Sequence, residues 1–367
     1  MLSKSKQIKA KIIAFYLPQY HPIKENDEWW GKGFTEWHNV VRAKKIFPGH
    51  KQPRIPAHLG FYDLRLEDTR IAQAEMAKKH GVDGFCYWHY WFGGDKRLLE
   101  RPFQEVLNTN KPDFPFCLGW ANHSWYKKDW GGKGKNILLI EQKYLGKEDY
   151  VKHFYEMLPA FKDKRYIKVD NDKLFFIIYS PLDSPEIREF IITWRELAKD
   201  NGLNDFYFVG KSADNRNKSE ILKVGCNAVY NDDVFNIHHH LSLIKKIWHL
   251  VGRKIFHFPT TFNYKDAIEY MVSKSKDGTI DSIPVIAPNW DHSPHSGVNG
   301  IILKNSNPQL FKTLVEKALK IVSEKPKENQ IILLKSWNEW GEGNYIEPDT
   351  EYGLGYLEAL RDCIAEE

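Results

Sequence analysis

Short apolar runs recur along the chain, each ending in aromatic, amide or acidic residues, and most are separated from the next by a stretch with helical spacing. The runs are Lys11–Leu17, Gly84–Phe92, Pro115–Trp120, Lys173–Ser180, Asp205–Gly210, Asn227–Asp232, Pro284–Pro288 and Ile331–Leu334. Their continuity is that of parallel strands covered on both faces, which do not alternate apolar and polar positions. Helices are predicted over Asp68–His80, Arg97–Asn108, Lys147–Ala160, Pro185–Asp200, Asn307–Ser323 and Tyr352–Ala365. In the first of these, Ile71, Ala74, Met76 and Ala77 fall on or near one side and Gly81 acts as the stop. Eight strands alternating with helices predict an α/β fold, a (β/α)8 TIM-type barrel with long loops over its C-terminal face. The expected organisation is one catalytic barrel domain over residues 1–367, with an insertion at about 234–283 between strands six and seven. The runner-up, an open doubly wound sheet of the glycosyltransferase kind, lacks a glycine-rich nucleotide fingerprint after the first strand.

Functional residues of such a barrel gather where its strands end. The candidates for substrate binding are therefore Tyr20 and His21 after strand one, Trp88, His89 and Tyr90 in strand two, and Trp120, Asn122, His123 and Trp125 at strand three. Tyr179, Asp232, Trp290, Asp291, Trp337 and Asn338 follow at the later strands. The richest stretch is Ile331–Pro348, where an apolar run gives way to tryptophans and carboxylates separated by Gly341 and Gly343. A sharp turn there lets Glu339 and Glu342 converge on one pocket, and a carboxyl pair around a sugar is equipment for acid–base work on a glycosidic bond. The plain alternative is a solvated loop whose acids cap the next helix; Trp337 and Trp340 count against it, since large rings are rarely spent on such a loop. The long loop from Gln19 to Pro56 carries Trp29, Trp30 and Trp37, too apolar a set for a bare connector, and is expected to fold over the barrel mouth.

Composition narrows the partners. The 53 basic and 48 acidic residues leave a net charge of +5 without a dominant basic block, so nucleic acid is not the expected partner. The 13 Trp, 18 Tyr and 21 Phe, many beside His, Asn or Gly, suit faces that stack on sugar rings, so a glycan is. Cys86, Cys117, Cys226 and Cys363 have neither metal-ligand nor disulfide-framework spacing and read as small apolar residues. His238–His240 point in different directions on any regular backbone, so neither a metal nor a cofactor is expected. No apolar run approaches the roughly 18 residues of a membrane span, and Ile12–Leu17 is too short for a signal segment; a soluble, cytoplasmic protein is expected. No feature of the sequence sets an oligomeric state.

Leu17-Pro18-Gln19-Tyr20-His21-Pro22, the stretch from Asn26 to Trp37, Leu59 to Arg65, Leu98 to Pro102, and Trp337-Asn338-Glu339-Trp340 with Glu342-Gly343 resemble the WbsX-like, glycoside hydrolase family 99-like proteins. These occur among bacterial surface-polysaccharide genes, and the resemblance runs from about residue 11 to 362. It implies a (β/α)8 barrel and, from family 99, endo-acting α-mannosidase or α-mannanase chemistry that retains configuration without a protein nucleophile. One glutamate helps the sugar's own 2-hydroxyl attack the anomeric carbon, and a second protonates the leaving oxygen. Their Glu-Trp-His-Glu type motif falls on Glu339-Trp340-Gly341-Glu342, which implies Glu339 as base and Glu342 as acid. Gly341 in place of histidine, and His123 where the branch commonly has an acid, are departures that bear on substrate. The expected activity is retaining glycoside hydrolase-like action on a bacterial polysaccharide or oligosaccharide, mannan-like or an O-antigen or capsule glycan. A glycosyltransferase of O-antigen or capsule assembly and a non-catalytic glycan-binding barrel are the alternatives. As acid, Glu342 is expected to be protonated through the apolar rings of Trp340 and Tyr345, and Glu339 to be kept ionised by neighbours such as Asn338.

Overall fold

The computed structural model describes residues 10–128, 135–212, 215–231, 237, 251–252 and 258–364. Its main sheet is parallel and runs β1 (Lys11–Tyr16), β2 (Gly84–Trp91), β3 (Phe116–Trp120), β4 (Lys173–Ile178), β5 (Phe206–Ser212), β6 (Ala228–Asn231), β7 (Ser282–Ile283), β8 (Val285–Ile286) and β9 (Ile331–Leu334). Each strand from β1 to β6 pairs with the next, β6 pairs with β7, β8 with β9, and β9 with β1. Only Pro284 separates β7 from β8. Proline has no N–H to give a ladder, but its carbonyl accepts from Leu333 N at 3.0 Å, so the two short pieces act as one stave and close the barrel. The expected fold is the one formed, with its seventh stave starting at Ser282 rather than Pro284.

The strands are buried along almost their whole length because helices cover the outside and side chains fill the inside. Ile12 to Tyr16, Leu174 to Ile178 and Ile331 to Leu334 are each at most 3% exposed. Inside, Phe15 stacks on Trp88 at 4.8 Å, and the space Trp88 needs exists because Gly119 on the next strand carries no side chain. Outside, Trp194 of the Ile187–Asp200 helix meets Phe176 and Phe206 at ring distances of 5.0 and 5.4 Å. The helices fall close to their expected bounds, except that the one expected from Arg97 starts at Arg101, because Arg97–Leu98 pairs antiparallel with Tyr90–Trp91. That over Pro308–Val322 starts where Asn307 accepts from Leu310 N at 3.0 Å, and it buries Phe311, Leu314, Val315 and Ala318 on one face. Cys86 and Cys117 are register partners on β2 and β3, and they are buried, as is Cys226.

Several segments expected as plain loop are ordered. The first loop contains helical turns at Lys24–Trp30 and Trp37–Arg42, and the loop after β3 forms a hairpin of Trp125–Lys127 with Ile137–Ile140. Thr260–Asn263, from the expected insertion, pairs parallel with Ile301–Lys304 from the loop after β8. Asp232, Trp130, His238–His240 and most of the first half of the insertion lie outside the described residues. Among the described residues no helix is long and apolar enough to cross a membrane.

Candidate active site

At the C-terminal end of the barrel, Trp337 N donates to Phe15 O at 2.7 Å, and Asn338 then binds Leu17 twice, accepting from its N at 2.7 Å and donating to its O at 3.0 Å. This fixes the exit of β9 against the exit of β1. The chain next makes one tight turn, Trp340–Glu342, flanked by Glu339 and by Gly343 in the left-handed region at φ 64°. A side chain at 343 would also run into the backbone of Asp291, so glycine is required there on two counts. Beneath the turn, the Trp340 ring stacks on Tyr345 at 3.6 Å, its Nε1 donates to the buried Glu347 at 2.7 Å, and its N donates to the Tyr20 hydroxyl at 3.2 Å.

Above the turn lies a cleft of about 450 Å³ into which Glu339 and Glu342 both point. Trp88, Tyr90, His123, Trp125 and Tyr179 form one side, Trp30, Phe34, Glu36 and Asn39 of the first loop another, and His292, His295 and Lys335 a third. Of the expected binding residues, the structure thus brings five to the cleft wall together with the two glutamates. Asp232 lies outside the described residues, and the others lie beneath or beside the cleft. His89 Nε2 meets His153 Nε2 at 2.7 Å on the outer side of β2, and Trp120 donates to Trp91 O at 3.0 Å. Asn122 clamps Ser180, accepting from its N at 2.7 Å and donating to its O at 2.8 Å. His21 contacts Pro18 O through Nδ1 at 3.0 Å, and Asp291 accepts from Gln52 at 2.7 Å and lies 2.9 Å from His50 Nε2. Tyr20, Trp290, Trp337 and Asn338 are fully buried and brace the turn and its neighbours. These residues position the wall rather than face the cleft. In the first loop, Trp30 reaches the cleft, Trp37 packs under the turn against Trp340 at 5.6 Å, and Trp29 meets Trp125 at 6.0 Å, so all three sit at the barrel mouth.

Glu36 and His295, with Phe34, Asn39, His292 and Lys335, are cleft residues that the expected site did not include. Glu36 is nearly fully buried and lies 2.6 Å from His295 Nε2, which reaches over from the short helix Ser293–Ser296. The available signals were the acid embedded in the aromatic Phe34–Trp37 stretch and a second histidine just after His292. Burial works against a charged His295, but the carboxylates of Glu36, Glu342 and Glu339 outweigh it and raise its pKa to about 9.

The protonation tendencies of Glu339 and Glu342 run opposite to the expected division. Burial and the charges of Glu342 and Glu36 push Glu339 well above the ordinary carboxylate range, against the pull of Lys335 and His295. Burial acts on Glu342 in the same sense, but His292, with Lys335 and His295, overrides it and holds Glu342 down at about 2. The geometry explains why. Glu342 faces donors, the Asn344 amide at 3.3 Å and His292 Nε2 at 3.6 Å, whereas the Asn338 amide expected to serve Glu339 is spent on Leu17. The Trp340 and Tyr345 rings stack on each other below and do not enclose Glu342.

A parallel barrel whose mouth gathers carboxylates, imidazoles and open aromatic faces is the build of a carbohydrate-active enzyme. The chain belongs to the glycosyltransferase WbsX family, whose model matches residues 12–360. It is 32% identical over 365 residues to the uncharacterized protein WxcX of Xanthomonas campestris pv. campestris strain B100, and equally to that of strain ATCC 33913. Each alignment covers 97% of this chain and 50% of the relative, so the chain spans about half the length of the curated relatives it matches. Among solved structures, a glycoside hydrolase-like protein superposes with a TM-score of 0.59 at 15% identity, covering 99% of this chain and 96% of the other. The GH99 endo-α-mannosidase from Bacteroides thetaiotaomicron superposes with a TM-score of 0.54 at 15% identity, covering 96% of each chain. These likenesses establish a shared barrel fold.

Proposed function

We propose that this barrel is a single catalytic unit that cleaves a bacterial surface polysaccharide or its oligosaccharide intermediate with retention, using Glu339 and Glu342 as an acid–base pair. The observation that carries the reading is the convergence of these two glutamates from one turn into a cleft walled by aromatic faces, at the end of the barrel where such folds do chemistry. Trp88, Tyr90, Trp125, Tyr179 and Trp30 offer surfaces for sugar rings, and His123, Asn39 and Lys335 offer hydroxyl contacts. Glu339 takes the proton of a sugar 2-hydroxyl as that oxygen attacks the anomeric carbon. Glu342 gives its proton to the departing glycosidic oxygen, and a water admitted afterwards opens the intermediate with both transfers reversed.

Burial and neighbouring carboxylates push Glu339 towards its protonated form, and His292 and Lys335 hold Glu342 towards its ionised one, whereas this cycle starts with the proton on Glu342. The productive form is then the minor tautomer, with the proton on Glu342. The environment that makes this form rare also makes it reactive: a carboxylate pushed up is the stronger base towards a hydroxyl, and one held down is the stronger acid. The resting protonation by itself favours a second reading, in which the two roles are exchanged. The family's description as glycosyltransferases favours a third, transfer from a nucleotide-sugar donor. Incubating the protein and its Glu339→Gln and Glu342→Gln variants with bacterial polysaccharides and α-mannan, and separately with nucleotide sugars, tests the proposal. Donor-independent release of new reducing ends that both variants lose supports hydrolysis; turnover only with a nucleotide sugar, or binding without turnover, overturns it.

A further inference from the structure

Gly341 leaves a space that two other loops fill. A Cβ built on it would collide with Glu36 Oε1 and with His295 Nε2, the atoms of the ion pair described above. Glu36 enters from the first loop, where its N donates to Gln19 O at 3.0 Å and its Oε1 accepts from the Asn39 amide at 3.3 Å. His295 enters from the loop after β8, and Gly341 lies within the turn that carries both catalytic carboxylates. Three loops far apart in sequence therefore meet at one atom-sized opening, and the two side chains that occupy it are a carboxyl group and an imidazole. An imidazole delivered from another loop lies where the side chain of residue 341 would start.

We propose that Glu36 and His295 are a positioning pair that takes the place of a side chain at residue 341, clamps the first loop and the loop after β8 onto the Trp340–Glu342 turn, and sets a lasting positive charge beside Glu339 and Glu342. The groups facing His295 are Glu36 from the first loop, Glu339 and Glu342 from the turn, His292 from its own helix at a ring distance of 5.4 Å, and Lys335 on the cleft wall. Two carboxylates crowded into one pocket do not both ionise readily, so a neighbouring cation decides how easily the second charge forms. The raised proton affinity of His295 agrees with the geometry: burial opposes the charge and the carboxylates more than restore it. The pair also couples residue 341 to residues 36 and 295, so a larger residue at 341 is compatible with this pocket only if the pair moves out.

The test needs no substrate, so it fails or succeeds independently of the proposed hydrolysis. The protein is labelled with [13Cε1]histidine, the His295 signal is assigned by its loss in His295→Gln, and the signal is titrated in wild type, Glu36→Gln and Gly341→Ala. His295 is expected to titrate near pH 9 in the wild type and at least ~1 unit lower in both variants, since each removes the adjacent carboxylate, one by chemistry and one by displacement. In [13Cδ]glutamate-labelled protein, His295→Gln should move a buried carboxylate titration upward. A wild-type midpoint at the ordinary histidine value, or a midpoint unmoved by Gly341→Ala, overturns the proposal. If Gly341→Ala does not fold, the isosteric Glu36→Gln decides alone: a folded variant with a wild-type midpoint refutes the pairing.

Discussion

Glu347 sits under the Trp340–Glu342 turn, 2% exposed, and accepts from Trp340 Nε1 at 2.7 Å, Gln73 Nε2 at 2.7 Å and the Tyr62 hydroxyl at 2.8 Å. Burial raises its pKa to about 7 even though these donors pull it down. The folded protein therefore binds this proton more tightly than the unfolded chain, where the group titrates near 4.5. Stability from this site is complete below pH 4.5 and is lost as pH rises through 7. The difference of two and a half units corresponds to about 3 kcal/mol by pH 8. Glu347→Gln is neutral throughout, so its stability relative to wild type should climb by about 3 kcal/mol between pH 4.5 and pH 8. A misplaced amide hydrogen towards Gln73 would add a constant offset and leave the slope intact. Urea unfolding of both proteins at half-unit pH steps, followed by tryptophan fluorescence, measures the difference. A difference that does not change with pH, or that shifts in favour of wild type as pH rises, would refute the reasoning.

Three further outcomes follow from contacts in the same region. Asn338→Ala leaves the buried N and O of Leu17 without partners, at about 1–3 kcal/mol each, and should appear as a large drop in the urea midpoint. Trp30 is 41% exposed on the cleft wall, so Trp30→Ala should change stability by less than ~0.5 kcal/mol while weakening glycan binding by about tenfold in calorimetry. His89 is held at about 3, chiefly by burial, so the native state binds fewer protons than the unfolded chain below pH 6.5; stability present above that pH is lost as pH falls, and a folded His89→Gln variant should lose less of it in thermal melts.

The barrel was legible because parallel strands buried on both faces leave unbroken apolar runs, and β9 matches its expected bounds residue for residue. The convergence of Glu339 and Glu342 was legible for a local reason, the turn enforced by Gly343. Which rings face the cleft was only partly so. Alternation along β2 puts Trp88 and Tyr90 on one side and His89 on the other, a signal that the gathering of aromatics at the strand end obscures. The pairing of Glu36 with His295 and of Glu347 with Gln73 and Tyr62 could not be read from local pattern, because these partners come from segments more than two hundred residues away. The same holds for the carboxylate protonation: His292 from another loop and the diversion of Asn338 to Leu17 decide it, and neither is visible in the spacing of the two glutamates.

The proposed hydrolysis is tested most directly by the leaving-group dependence of cleavage, with a series of aryl glycosides of whichever sugar the polysaccharide incubations identify. With Glu342 as acid, Glu342→Gln should slow poor leaving groups by orders of magnitude and activated aryl groups little, and Glu339→Gln should slow both alike. Full activity in both variants would contradict the assignment of this pair, and the opposite dependence would exchange their roles.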